Sequence, residues 1–459
     1  MRISGGHERD YTSVFPNTSA GIIALMRWHS HSRLERWLIT FIGGSGLGLI
    51  PLFGGWGAYE FIPSVHFRAQ AAWAQVHEAI APQPANLPTA VPAETLAPPT
   101  SSSSTPATTA MPTLSVGPSS TATLVVRTAT PTATPIPSRL VLTGLQHEYQ
   151  LFNNCGPASL AINLSYWDWQ GSQKNTAAFL KPNQDDKNVS PHELYEFLLT
   201  QKFDAYIRMN GDVDTLKRFI AAGYPVLVEK GYTCGKGERC SGWFGHYSVF
   251  NGYDDDQQLF ILQDSFRGPD LKLTYAEVMT NWRAFNYLYF IVFPAGEAQD
   301  AKVQELLGEA IDLDQNYRGA LAHAQQEALT LTGQDAAFAW FNVGTNLAAL
   351  RDYAGAATAY DQARKIGLPY RMLWYQFGPY RAYYQMARYQ DVVDLATFAI
   401  NSVTPGVVPG LEESYYWRGQ AEEAFGEREQ AIADYRTALQ RHPGYALAEE
   451  ALRALGETP

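Results

Sequence analysis

Cysteine and basic charge are both scarce in this sequence. Only three of the 459 residues are cysteines, which excludes a disulfide-rich scaffold. The formal net charge is −11, and no large basic patch follows the N-terminal segment. A protein with this charge balance has little attraction for a phosphate backbone, so we expect no nucleic-acid partner.

A long run without charged residues extends from Trp37 to Tyr59. As a helix it would span about 35 Å, which is enough to cross the hydrocarbon of a bilayer. Arginines precede it within residues 1–36, so the positive-inside rule places that segment in the cytoplasm and the rest of the chain outside. We therefore predict a transmembrane anchor at 37–59 and an extracytoplasmic body. A cleaved signal peptide is the alternative, and Met26 is an alternative start.

A juxtamembrane segment and linker, residues 60–137, follow the predicted anchor. Pro, Thr, Ser and Ala dominate residues 82–137, where Glu94 and Arg127 are the only charged residues. Such a composition cannot bury enough apolar surface to fold. The sequence predicts an extended tether that holds the following domains away from the membrane.

Residues 138–296 have the pattern of a folded α+β domain. Apolar runs with helical spacing come first, beginning with GPASLAINLSYWDWQG. The strand-like runs YPVLVEKGY, GHYSVFNGYD, QLFILQDSF and NYLYFIVFP follow. Helices followed by an antiparallel sheet are typical of the α+β class.

Residues 299–457 are Ala-rich, helical in pattern and internally repeated. Two segments align by their small and aromatic positions: Gly344 and Tyr360 in the first correspond to Gly419 and Tyr435 in the second. A weaker copy lies between them. These segments resemble tetratricopeptide repeats, helix pairs of about 34 residues, and the resemblance implies an all-α module that binds a protein or peptide. A generic Ala-rich bundle is the alternative.

Cys155 stands alone in the stretch NNCGPASLAINL, far from the other two cysteines. A nucleophilic cysteine needs a lowered pKa, a base and donors for an oxyanion. The apolar run after Cys155 predicts a helix, and the dipole at a helix N-terminus favours a thiolate. Gly156 permits the chain to turn tightly into the helix, and Pro157 fits the first helical turn, where no N–H is needed. We therefore predict a nucleophile here, although a buried inert cysteine is the alternative.

His246 and Asp264 fit the partners that such a nucleophile needs. His246 lies in an alternating strand, and Asp264 ends the strand that should pair with it in a hairpin. There the carboxylate can orient the imidazole and fix its tautomer. Gln150 can place an amide N–H beside the oxyanion, with the backbone N–H of Cys155 as the second donor. Gln146 is the alternative for this role.

The order of these residues, with CGPA at the cysteine and a GYDD turn after the histidine, resembles that of papain-like cysteine peptidases. The similarity is to the double-glycine, or bacteriocin-leader, peptidase type, and in particular to its stand-alone relatives, over about residues 140–296. It implies that Cys155 is the nucleophile, His246 the general base and acid, Asp264 the orienting residue and Gln150 the oxyanion donor. The implied reaction is hydrolysis of a peptide bond through a thioester acyl-enzyme.

Two features depart from the transporter-linked members of this type. Those members carry an acidic residue immediately before the cysteine, where this chain has Asn154, and no transporter domain follows here. Leader-peptide processing is therefore not implied, and the peptide or protein substrate stays open. Asn154, Gly245 and Trp243 are candidate substrate contacts, although Trp243 fits equally well beneath its loop. The alternatives are a non-catalytic peptide-binding scaffold and a transglutaminase-like acyl transferase.

Cys234 and Cys240 bracket a short glycine-containing loop ahead of His246. Outside the cytoplasm such a pair can close a disulfide. A metal site would need more ligands near these cysteines than the sequence offers, and the acidic stretch GYDDD at 252–256 lacks the further oxygen ligands that calcium requires. We expect a disulfide, no metal and no cofactor.

Overall fold

The structure is a computed structural model that describes residues 86–89, 136–183, 186, 188–235, 240, 242–403 and 410–459. The predicted cytoplasmic segment 1–36, the predicted anchor 37–59 and most of the predicted linker lie outside these residues. Within the described ranges, no helix is both long enough and apolar enough to cross a membrane.

Helices and strands are interspersed along the first folded region. Its helices are α1 (Cys155–Ser165), α2 (Gln173–Leu180), α3 (Pro191–Thr200), α4 (Val213–Ala221) and α5 (Tyr275–Trp282). Its strands are β1 (Arg139–Val141), β2 (Phe203–Arg208), β3 (Val226–Thr233), β4 (Trp243–Asp254), β5 (Leu259–Asp264), β6 (Gly268–Thr274) and β7 (Tyr289–Pro294). A mixed α/β domain with an antiparallel sheet agrees with the predicted α+β class.

All strand pairs in the sheet are antiparallel, in the order β2-β7-β3-β4-β5-β6, and β1 pairs with the far end of β4. Strand β4 is central, and its register on β3 sets Lys230 opposite His246. The hairpin of β4 and β5 forms as predicted, with a register shift between Phe250 and Gly252. The middle of the sheet therefore carries both His246 and Asp264.

Helices cover both faces of the sheet, because successive side chains of a strand point to opposite sides. On one face, Leu227 packs with Leu160 of α1 and Leu194 of α3. On the other face, Val226 and Val228 pack with residues of α4 and α5. The face that carries α1 is the one on which Cys155 lies.

The second folded region consists of helices. They are α6 (Glu297–Leu307), α7 (Leu313–Thr330), α8 (Gly333–Ala349), α9 (Tyr353–Ile366), α10 (Gly378–Gln385), α11 (Tyr389–Asn401), α12 (Glu412–Phe425), α13 (Arg428–Arg441) and α14 (Ala446–Ala454). Short 3-10 turns, Arg283–Phe285 and Tyr370–Trp374, flank the boundary with the sheet domain.

The aligned glycines and tyrosines of the two repeat copies make the same contact. A Cβ atom at Gly344 of α8 would lie 2.7 Å from the ring of Tyr360 on α9. A Cβ atom at Gly419 of α12 would lie 2.7 Å from the ring of Tyr435 on α13. Only glycine leaves room for these rings, so the sequence repeat corresponds to a repeated helix–helix contact.

The helical region packs directly against the sheet domain. Trp243, at the start of β4, stacks on Phe285 with ring centroids 6.0 Å apart and also contacts Phe338 and Tyr375 of the helical region. Arg283 adds an ion pair to Glu327 of α7 at 2.9 Å. The two regions therefore share one apolar core at this boundary.

Four residues of the predicted tether are docked rather than free. Leu87 is buried in the core of the helical region, and its backbone N–H donates to Leu368 O at 2.9 Å. Arg364 Nε donates to Pro88 O at 2.9 Å. The chain is therefore fixed at residues 86–89, which differs from the expectation of a continuous tether over residues 82–137.

Candidate active site

Cys155 is the first residue of α1 and is partly exposed. Side chains hold the loop before it: Asn154 Nδ2 donates to Gln173 Oε1 at 2.8 Å, and Lys181 Nζ donates to Asn153 O at 2.9 Å. Behind it, a Cβ atom at Gly156 would lie 3.3 Å from that of Val189, so glycine lets the helix start sit close to its neighbours. The thiol is thus placed at a rigid helix N-terminus.

His246 and Asp264 form a buried pair in the sheet. His246 Nε2 lies 3.0 Å from Asp264 Oδ1, and the two residues are 1% and 0% exposed. Because Nε2 of His246 is bonded to the Asp264 carboxylate, Nδ1 is the ring nitrogen that remains for another partner. Among the described residues nothing hydrogen-bonds His246 Nδ1, and the Cys155 thiol lies close enough to raise the pKa of the imidazole.

Several donors converge on the Asp264 carboxylate. Ser248 Oγ donates to Oδ2 at 3.0 Å, and Lys230 Nζ lies 3.6 Å from the same oxygen. The backbone N–H groups of Phe266 and Arg267 donate to Oδ1. Burial alone would raise the pKa of Asp264, but the charges of His246 and Lys230 and these hydrogen bonds hold it well below its usual range. The carboxylate is therefore ionised at any working pH.

The thiol and the imidazole shift each other's pKa in opposite directions. Burial raises the pKa of Cys155, but the neighbouring His246 imidazole, the backbone at Tyr247 and the charge of Lys181 lower it below the ordinary thiol value. Burial lowers the pKa of His246, but Asp264 and the Cys155 thiolate raise it above the ordinary imidazole value. Both shifts favour a thiolate–imidazolium pair.

Gln150 lies beside this pair, on the Asp264 side. Its backbone N–H donates to Ser265 O at 2.8 Å, and its side-chain Oε1 accepts from Ser265 Oγ at 2.9 Å. Ser265 directly follows Asp264 and is fully buried. With the oxygen engaged, the amide group of Gln150 has its N–H donors as the remaining hydrogen-bonding capacity.

The three candidate substrate contacts lie in packed positions. Asn154 is 4% exposed and bonded to Gln173. Trp243 is 7% exposed and lies in the boundary core, packed against the rings of Phe285, Phe338 and Tyr375. At Gly245 a Cβ atom would lie 2.7 Å from the ring of Phe285 and 2.8 Å from that of Tyr375. These residues shape the walls of the site rather than offering open side chains.

The other two histidines and the cysteine pair of the sheet domain make contacts of their own. His192 is exposed, and its Nδ1 lies 2.9 Å from Ser190 Oγ. His147 packs edge-on against Tyr149, and burial lowers its pKa. Cys234 and Cys240 form a disulfide in the loop that leads into β4.

Three residues near the pair were not singled out from the sequence. Lys230 has a detectable signal, since YPVLVEKGY places adjacent charges in an otherwise apolar strand. Lys181 contacts the cysteine loop from the end of α2, a helix that was not predicted. Tyr375 comes from the helical region, and its ring lies so close to Gly245 that a Cβ atom there would approach it to 2.8 Å. No local sequence pattern indicates that last contact.

Comparison with known proteins bears on the sheet domain. Residues 142–290 match the Peptidase_C39 like family. This range holds Gln150, Cys155, His246 and Asp264, and the match supports a cysteine peptidase function. It ends before the helical region.

Solved structures give weaker likenesses. One is a double glycine motif protease from an AMS/PCAT transporter in complex with the leader peptide, at 15% identity and a TM-score of 0.26, covering 34% of this chain and 94% of that one. Another is a MamA RS-1 ArsTM double mutant, at 15% identity and a TM-score of 0.27, covering 35% of this chain and 80% of that one. Scores this low carry no argument about function. No curated protein matches the chain.

Proposed function

We propose that this chain is a cysteine peptidase, or a related amidase, that hydrolyses a peptide bond through a Cys155, His246 and Asp264 triad. The observation that carries the proposal is the buried hydrogen bond between His246 and Asp264 beside a partly exposed thiol at a helix start. An ionised Asp264 holds the imidazole with Nε2 towards the carboxylate. Nδ1 is then free to exchange a proton with the thiol.

In the first half-reaction, Cys155 Sγ attacks the carbonyl carbon, and a C–S bond forms as the carbonyl oxygen becomes an oxyanion. The backbone N–H of Cys155 and the amide of Gln150 are the proposed donors to that oxyanion. The C–N bond then breaks, and the imidazolium of His246 gives its proton to the departing amine. The product is a thioester on Cys155.

In the second half-reaction, water attacks the thioester while His246 accepts its proton. The C–S bond breaks, the new carboxyl product leaves, and Cys155 returns as a thiolate. Buried Lys230 and Asp264 give up no proton in either half-reaction, and Lys230 Nζ lies 3.6 Å from Asp264 Oδ2 beside the reacting pair.

The proposal for the whole chain adds an anchor and a recruiting module. Residues 37–59 would hold the protein in a membrane, with residues 1–36 in the cytoplasm and the catalytic domain outside. The helical region, as tetratricopeptide repeats, would bind a protein or peptide and bring it to the site. The repeated glycine–tyrosine contacts and the direct packing of this region near Gly245 support that arrangement.

The thiol chemistry offers a direct test, because Cys155 is the only cysteine outside the disulfide. The rate of alkylation by iodoacetamide should follow a thiol pKa below the ordinary value of about 8.5. His246→Ala should move that midpoint back towards the ordinary value, whereas His192→Ala, an exposed histidine in the same domain, should leave it in place. A wild-type midpoint near 8.5 that His246→Ala does not change would contradict the activated thiol.

A peptide library then separates the three candidate activities. Hydrolysis predicts cleaved peptides and an acyl-enzyme mass on Cys155, both absent in Cys155→Ala. A transglutaminase-like transferase instead gives amine adducts of the peptide. A non-catalytic scaffold binds peptides but cleaves none even with Cys155 present, and that result would refute the peptidase.

A further inference from the structure

A second cluster of ionisable side chains lies at the boundary between the sheet domain and the helical region, away from Cys155. Asp186, Glu412 and His442 each offer one ligand atom, and these atoms all lie within 4.8 Å of one another. Asp186 is 3% exposed and Glu412 is 2% exposed. Glu193 joins them, since its Oε1 lies 3.5 Å from His442 Nδ1.

The cluster joins separate parts of the fold. Asp186 lies between α2 and α3, and Glu193 is in the first turn of α3. Glu412 begins α12, and His442 directly follows α13. Asp186 also forms a parallel backbone bridge with Gly410, which fixes the two sides against each other. The donor atoms are therefore held by backbone structure on both sides.

Among the described residues, negative charge is in excess at this boundary. Asp186 lies in the field of Glu412 and Glu193, and Glu413 adds a fourth carboxylate to the same field. The opposing charges are His442, bonded to Glu412 at 3.0 Å, and Lys181. Buried carboxylates in such a group repel one another unless a cation or protons compensate them.

One acceptor in the cluster has no partner among the described residues. Glu412 Oε1 accepts the hydrogen bond of His442 Nδ1, while no atom of the described chain hydrogen-bonds its buried Oε2. A buried carboxylate oxygen without a donor is costly and rare in folded proteins. This oxygen belongs to the carboxylate that contacts His442, so a cation bound at the cluster would give it a partner.

We propose that Asp186, Glu412 and His442 bind a divalent transition-metal ion of the Mn²⁺ or Zn²⁺ class, which clamps the sheet domain to the helical region. Carboxylate oxygens suit Mn²⁺, and an imidazole nitrogen adds affinity for Zn²⁺. The ion compensates the excess negative charge and supplies the missing partner of Glu412 Oε2. This site differs from the sequence expectation of no metal, because its ligands come from segments far apart along the chain.

The test uses the full-length chain with Cys155→Ala, so that the catalytic thiol cannot bind metal, after removal of metals with EDTA. Mn²⁺ binding is counted by the loss of the free-ion EPR signal, and Zn²⁺ binding is measured by calorimetry. We expect one ion per chain and a rise in the unfolding temperature with metal concentration, because a ligand that binds only the folded state stabilises it.

Glu412→Gln removes a metal ligand at the start of α12, and His442→Gln removes one that directly follows α13. Each substitution should weaken metal binding by about tenfold or more. Glu196→Gln is the matched control, since Glu196 is an exposed carboxylate on the same helix as Glu193. In the absence of metal, the Glu412→Gln variant should unfold at the same temperature as its parent or at a higher one, because the substitution removes the repulsion between Glu412 and the neighbouring carboxylates.

Failure of the parent to bind either ion would overturn the proposal. Unchanged metal binding in both Glu412→Gln and His442→Gln would also overturn it, and so would an equal loss of metal binding in Glu196→Gln. If one donor variant does not fold, the other decides the question.

Discussion

His246 Nε2 and Asp264 Oδ1 lie 3.0 Å apart with both side chains shielded from solvent. This hydrogen bond sets which ring nitrogen carries the proton. An ionised carboxylate can only accept a hydrogen bond, so Nε2 must be the protonated nitrogen that donates it. The orientation leaves Nδ1 for the thiol. The proposed chemistry therefore depends on the charge of Asp264 and not only on its shape.

Asp264→Asn tests this dependence. The amide keeps the volume but loses the charge and can stabilise the wrong tautomer, so peptide hydrolysis should fall by roughly 10²–10⁴-fold. The pKa of His246 should also fall, since the charge of Asp264 raises it. Steady-state kinetics and NMR titration of the imidazole measure the two effects.

The control for that variant is Asp256→Asn, at the exposed tip of the β4–β5 hairpin. It removes the same charge from the same hairpin without touching His246. Equal losses in both variants would show that the effect comes from the hairpin as a whole rather than from the pair.

The pH dependence of hydrolysis should be bell-shaped, with its limbs set by Cys155 and His246. The pKa of Cys155 is lowered, so activity is lost as the pH falls through that value and the thiolate is protonated. The pKa of His246 is raised, so activity is lost as the pH rises through that value and the proton for the leaving amine disappears. A profile of kcat/KM that rises steadily through pH 9 would be inconsistent with this pair.

Lys181→Met should make the Cys155 thiol less acidic. Lys181 donates to the carbonyl of Asn153 at 2.9 Å, and its charge lowers the pKa of Cys155. Alkylation below neutral pH should therefore slow. Lys174→Met, an exposed lysine on α2, provides the comparison, and a matching slowdown there would point to net charge rather than position.

Gly245→Ala should disturb the site from the side of the helical region. Its Cβ atom would lie 2.7 Å from Phe285 and 2.8 Å from Tyr375, so these rings or strand β4 must shift beside His246. Overpacking of this kind costs about 1–3 kcal/mol, and hydrolysis should fall with it. Thermal unfolding and kinetics measure both.

Gly296→Ala is the matched substitution, because a Cβ atom there meets nothing within 4 Å. Its effect on the free energy of unfolding should stay within about 0.5 kcal/mol. If Gly245→Ala also changes neither the free energy of unfolding nor the rate of hydrolysis, the packing of Tyr375 against the site does not affect function.

The central strands were predictable, whereas strands β2 and β6 were not. Strands β3, β4, β5 and β7 are buried on both faces, so their apolar runs stand out in the sequence. Strand β6 is largely exposed and β2 pairs on one side only, so neither shows such a run. Helix α2 was missed for a related reason, since few of its residues are buried.

The contacts of the candidate site were likewise predictable only where they are local in the sequence. The pairing of the His246 strand with the Asp264 strand follows from a local hairpin, which sequence patterns capture well. The approach of Tyr375 to Gly245 and the meeting of Glu412 with Asp186 depend on how the helical region docks. Docking of that kind is a tertiary property with no periodic signal along the chain.

The contact of Leu87 changes where a pull on the N-terminal side would act. Residues 86–89 are bound to the helical region, and Arg139–Val141 pair with β4, so the chain is attached to the folded region at both places. Under the proposed membrane anchoring, such a pull meets the contacts of Leu87 and Arg364 before it reaches the sheet domain. The reach of the proposed catalytic domain is then set by the chain before residue 86.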